Sequence, residues 1–111
     1  METSKLLHFI PKINAEQAEK TIHEIAVNPI NIILTDHAKE RMEERDFSIS
    51  DLLYVLRDGY VDEEPLIDQD KGSYVCKITH KLNSVRHAGV ITAIIDKNKK
   101  LLIITMEWEF F

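Results

Sequence analysis

The hydrophobic and polar positions of this chain change period partway along, and the change separates helices from strands. Ala18, Ile22, Ile25 and Ala26 recur at the three- and four-residue spacing of an amphipathic helix, behind a capping pair formed by Asn14 and Gln17. This predicts a first helix over residues 15 to 27, stopped at Asn28 and Pro29. Ile30, Ile32, Ile33 and Leu34 form an apolar run too short for a helix of its own, and it delivers the chain to Thr35 and Asp36, either of which can cap a second helix. That helix should end near Asp46 and Phe47. Ser48 with Asp51 repeats the capping signal, Leu52, Leu53, Val55 and Leu56 give a third helix its buried stripe, and Asp58 and Gly59 close it. Tyr60 and Val61 restart extended chain, with bends at Pro65 and at Lys71 and Gly72.

From Ser73 onward β-branched and aromatic residues dominate, with candidate strands at 73 to 81, 85 to 96 and 100 to 110. The intervening Leu82, Asn83, Ser84 and Lys97, Asn98, Lys99 are short enough for hairpins, so neighbouring strands should run antiparallel. Helices followed by a meander predict an α+β domain, its N-terminal helices packed on one face of a C-terminal antiparallel β-sheet. Residues 101 to 111 are so apolar that they belong inside the sheet or paired across an oligomer, since a bare edge of that composition would aggregate. Simple alternation puts Glu107 on one face with Thr105 and Ile103, and Trp108 on the other with Met106 and Ile104, making Trp108 a core residue.

Composition narrows the setting. A chain of 111 residues, 44% hydrophobic with three Gly and three Pro, holds one core and no low-complexity tract. The single Cys76 can form neither an internal disulfide nor a thiolate zinc site, which points to a reducing compartment and a buried spectator thiol. Residues 1 to 11 are too short in apolar length and too poor in positive charge for a secretory signal, and no run reaches membrane length, so the cytoplasm is expected. The net charge of −5 divides into −2 over residues 1 to 36, −7 over 37 to 70 and +4 over 71 to 111. The overall acidity predicts weak non-specific affinity for nucleic acid, yet a polyanion reads the local patch rather than the sum, and the last third is basic.

The chemistry-bearing residues lie on the second helix. His37, Arg41 and Arg45 recur every fourth residue, an arc of about 80° on a helix, bordered by Ala38 and Met42 on one side and Glu40 and Glu44 on the other. The helix N-terminus and Arg41 both disfavour a positive charge on His37, leaving its imidazole able to accept a proton. Ribonucleases that form a cyclic phosphate need such a base for the 2'-hydroxyl and cations for the crowded phosphorane, a task suited to guanidinium forks. The plainer alternative is a solvated helix with Arg41 paired to Glu44 and Arg45 near Glu44 and Asp46. His80, Arg86 and His87 flank a hairpin turn, as a second acid/base cluster or as ordinary polar decoration; alternation sends Arg86 and His87 to opposite faces. Glu107 could orient His37, act as a base, or simply be an exposed carboxylate at a strand end. No glycine-rich phosphate loop, nucleophile elbow, dinucleotide fingerprint or local metal-ligand spacing is present, so no cofactor and no metal are expected.

The segment from Leu34 to Ile49, with H-A-x-x-R-M-x-x-R at its centre, a following helix from Leu52 to Gly59 and a three-strand meander, resembles an uncharacterised bacterial and phage domain family. That family is usually placed in the barnase, EndoU, colicin and RelE-type ribonuclease fold. The resemblance covers roughly residues 34 to 108 and matches His37, Arg41 and Arg45 position by position. It implies a metal-independent RNA endonuclease, often the toxin of a toxin and antitoxin pair, with His37 as general base or acid, Arg41 and Arg45 on the scissile phosphate, and RNA, an antitoxin-like protein or a second copy as partner. Residues 1 to 33 are then a helical extension of a domain at 34 to 111, the two forming one compact unit. Two features depart from the pattern: Asp58, Asp62, Glu63, Glu64, Asp68 and Asp70 would repel RNA if they lined the cleft, and the extra helix could occlude it. They support the alternative of a non-catalytic interaction or regulatory protein that keeps the fold.

Overall fold

Local signals start each helix where the sequence places them. In the computed structural model, which describes residues 9 to 110, Asn14 and Gln17 exchange side-chain and backbone hydrogen bonds of 2.8 and 2.9 Å at the start of α1, Ala15–Ile25. A single 3₁₀ turn, Pro29–Asn31, leads into β1, Ile32–Leu34, and then α2, Asp36–Glu44, is capped by the Thr35 hydroxyl rather than by Asp36. The corner after α2 turns on Asp46, whose φ of 61° lets the Phe47 N–H reach back to Met42 O at 2.8 Å. Ser48 and Asp51 form the second capping box, on α3, Ile49–Asp58. The reading of residues 1 to 11 as no secretory signal falls mostly outside the described residues.

The strands are β2, Leu66–Asp68; β3, Ser73–Lys81; β4, His87–Ile95; and β5, Lys100–Glu109. They form one sheet in the order β1-β5-β4-β3-β2, all antiparallel except β1, which runs parallel to β5. The apolar run before Thr35 is thus a strand, and the sheet is mixed rather than purely antiparallel. The helices pack against one face of this α+β sheet, burying Ile22, Leu52, Val55 and Leu56 against Ile78, Val90, Ile94, Leu101, Ile103 and Met106.

The register of β5 slips opposite Ile91 and Thr92, which pair with Thr105 and Ile103 and leave Ile104 as a bulge. This overturns the simple alternation. Ile103 faces the core, as do Met106 and Trp108, while Thr105 and Glu107 lie on the opposite, open face. A bulge has no hydrophobic signature, so period-2 counting ran one residue out beyond it.

Helix α1 is part of the core. Ala18 and Ile22 are fully buried, Arg57 Nε donates to Ala26 O at 2.8 Å, and the Val61 N–H donates to Glu19 Oε1 at 2.9 Å. His23 Nε2 lies 2.8 Å from Gly59 O, and as a carbonyl only accepts, that nitrogen carries the proton. Gly59 sits where α3 meets β3: a Cβ there would lie 2.4 Å from Val55 O and 2.7 Å from Thr79 O. Cys76 is buried on the core face, and burial pushes its thiol up to about 12.

Candidate functional site

Two contacts fix α2 along β5. At its start the Thr35 N–H and hydroxyl both donate to Ile103 O, at 3.2 and 2.8 Å. At its end Trp108 Nε1 donates to Arg45 O at 3.2 Å, and the Trp108 ring packs on Phe47 with centroids 4.4 Å apart. β1 pairs with β5 only as far as Ile103, so α2 packs where the rest of β5 has no strand neighbour on that side. Ala38 and Met42 point into the core. Arg41 and Arg45, on the bordering arc, meet the side chains that the bulge has turned to the open face.

There they converge on one carboxylate. Arg41 Nε is 3.2 Å from Glu107 Oε2 and Arg45 Nε is 3.3 Å from Glu107 Oε1, while the Thr105 hydroxyl donates to Oε2 at 2.9 Å. Arg41 also pairs with Glu44 at 3.2 Å. The three central side chains are 36%, 40% and 32% exposed, so the cluster is supported by the sheet and open to solvent. Arg41 Nε is itself buried, and the 3.2 Å contact to Glu107 lies off its N–H axis, leaving this donor without an aligned acceptor. His37 stands one turn before Arg41, exposed and without a hydrogen-bond or ion-pair partner among the described residues.

The residues around the hairpin do not join into a second acid/base cluster. His80 lies on the core side of β3, where its ring meets Tyr54 and Tyr60 at centroid distances of 4.6 and 5.4 Å and its Nδ1 donates to Lys81 O at 2.9 Å. His87 lies on the open face, in register with Lys81 and Glu109, so the sheet separates the two imidazoles. The Arg86 guanidinium rests 3.9 Å above the Trp108 ring centroid, a cation–π contact. Sequence reasoning missed Thr105, the 2.6 Å ion pair of Lys77 with Glu109, and the tyrosines beside His80. Thr105 alone had a usable signal, since i and i+2 on a strand share a face with Glu107. Of the acidic stretch, Asp62 and Glu63 line a small cavity of about 220 Å³ with Lys77, Thr79 and Glu109. Among the described residues no group of three or more His, Cys, Asp or Glu is placed to hold a metal, and no helix is long and apolar enough to cross a membrane.

Comparison with known proteins gives a family whose function is unknown. A family model described as a domain of unknown function, DUF4258, matches residues 34–108, and the chain belongs to that family. Neither the curated proteins nor the solved structures contain a match. The matched span takes in α2, α3, β2, β3, β4 and β5 as far as Trp108, including Arg41, Arg45, Thr105 and Glu107, and leaves α1 and all of β1 but Leu34 outside it.

Proposed function

We propose that the cluster of Arg41, Arg45 and Glu107 is the phosphodiester seat of a metal-independent endoribonuclease, as the H-A-x-x-R-M-x-x-R resemblance implies. The observation that carries the reading is the convergence of two guanidiniums on a single carboxylate that remains open to solvent. RNA supplies its own nucleophile, so cleavage needs proton transfer and stabilisation of negative charge. In this reading Glu107 takes the proton of the 2'-hydroxyl as the new P–O2' bond forms. His37 returns a proton to the departing 5'-oxygen as the P–O5' bond breaks. Arg41 and Arg45 balance the charge on the phosphorane, where the unaligned Arg41 Nε–H gains an acceptor. The toxin role and an antitoxin partner belong to the same proposal.

The test is cleavage of mixed RNA by the purified protein in chelator, followed by assay of 2',3'-cyclic phosphate ends. Glu107→Gln, Arg41→Ala and His37→Ala should each lower the rate by roughly 10²- to 10⁴-fold. Absence of cleavage, or cleavage indifferent to these changes, removes the assignment.

A second reading has a specific observation in its favour: both arginines are already paired, Arg41 with Glu44 and Glu107, Arg45 with Glu107. Here the cluster is a clip that holds α2 on β5, and the protein is a non-catalytic interaction or regulatory module. Its mark is a harmless protein in which Glu107→Gln alters melting and nothing else.

A further inference from the structure

The sheet face turned away from the helices carries an aliphatic surface that the proposed reaction does not use. Strand register aligns Ile33, Leu102, Ala93, Val75 and Leu66 in one row, one residue from each strand from β1 to β2. Ile91 and Ile95 flank Ala93 on the same side of β4. Ala93, in the middle of the row, is buried at 5% exposure, while the ends of the row, Ile33 and Leu66, are 47% and 74% exposed. At strand and residue spacings of about 4.8 and 3.3 Å, the row is roughly 20 Å long and widens to roughly 13 Å at β4, which suits the apolar centre of an interface of about 800 Å² per partner. An aliphatic row on an open sheet face offers a seat to an occupant.

The charges beside the patch identify that occupant. The neighbouring row reads Lys100, Ile95, Ser73, Asp68 from β5 to β2, with a cation at one end and an anion at the other. Lys100 is bonded to the Asn31 side-chain oxygen at 3.1 Å and Asp68 to the Lys71 N–H at 3.1 Å, but neither is in an ion pair among the described residues. A two-fold axis parallel to the strands, passing between β4 and β3, lays the β5-to-β2 residues of each row over their own reverse. Leu102 then covers Leu66 of the second copy, Ala93 covers Val75, and Lys100 meets Asp68, each twice by symmetry. Beside the axis Ala93, the smallest of its row, permits the roughly 10 Å approach of two packed sheets. We propose that this face is the interface of a homodimer, two sheets packed face to face. Arg41 and Arg45 lie beyond it, at the β5 edge, so the proposal stands independently of the ribonuclease reading.

Sedimentation equilibrium of the full chain over 1 to 200 μM tests it. The expected species is twice 12.9 kDa. Leu66→Lys, Asp68→Lys and Lys100→Asp, all at the surface, should each weaken association at least tenfold with circular dichroism unchanged, and the double variant Asp68→Lys with Lys100→Asp should restore it. A monomer throughout the range overturns the proposal, as does a dimer indifferent to the three single changes or a double variant that fails to recover. A chain that dimerises only after deletion of residues 1 to 8 overturns it too, since that segment is then the occupant.

Discussion

Glu107→Gln removes a charge and almost no volume, leaving two guanidiniums facing one another without their shared counter-ion. The contacts are 3.2 and 3.3 Å. The bare attraction at that separation is about 1.3 kcal/mol per pair in water and about 5 kcal/mol at an effective dielectric of 20. With each side chain about a third exposed, solvent screening holds the net value near that of partly exposed pairs, at most about 1 kcal/mol each. The total loss is then about 1–2 kcal/mol. Unfolding entropy of about 2 cal/mol/K per residue converts this to a melting temperature lower by about 4–9 °C. Thermal melts by circular dichroism at neutral pH measure it, and the gap between wild type and variant should shrink in 1 M salt, where the Debye length is about 3 Å. Equal melting temperatures at low salt would refute the geometry and both functional readings with it.

Burial holds the Cys76 thiol at about 12, so the native chain keeps a proton that the unfolded chain loses. This contribution to stability is whole below the ordinary thiol pKa of about 8.5 and is lost as pH rises towards the folded value; Ellman's reagent at pH 8 should label Cys76 only as fast as the protein opens, and immediate labelling would contradict the burial. Gly59→Ala drives a Cβ to within 3 Å of two backbone carbonyl oxygens and should cost about 2–4 kcal/mol in urea titrations, whereas an unchanged midpoint would mean that the α3–β3 junction is looser than described. Ile22→Ala, in a helix outside the matched family span, should cost about 2–5 kcal/mol because its side chain is fully buried; a loss under about 1 kcal/mol would make α1 a peripheral addition.

What could be read in the sequence was local. Asn14 with Gln17 and Ser48 with Asp51 announce two helix starts within four residues of chain, and Gly59 ends a helix where the stripe of Leu52, Val55 and Leu56 runs out. The three-residue strands β1 and β2 were missed because no periodicity fits in three positions, and β1 in addition pairs with residues far away in the chain, Ile32 with Leu101. In the site, the placement of Arg41 and Arg45 between buried and exposed faces follows from Ala38 and Met42. Their partner required two non-local facts: that β1 leaves the end of β5 free for α2, and that Ile104 bulges out and turns Thr105 and Glu107 to the open face. The same bulge explains why Glu107 was grouped with Ile103, which faces the core.

If Glu107 takes the proton of a ribose 2'-hydroxyl while Arg41 and Arg45 hold the adjoining phosphate, cleavage must follow the ribose. A DNA oligonucleotide containing a single ribonucleotide, incubated with the protein in chelator, tests this at one linkage. Scission is expected only on the 3' side of the ribonucleotide, with a 2',3'-cyclic phosphate on the new end and loss of the product with Glu107→Gln. An intact oligonucleotide, or one cut equally at deoxyribose linkages, would contradict it.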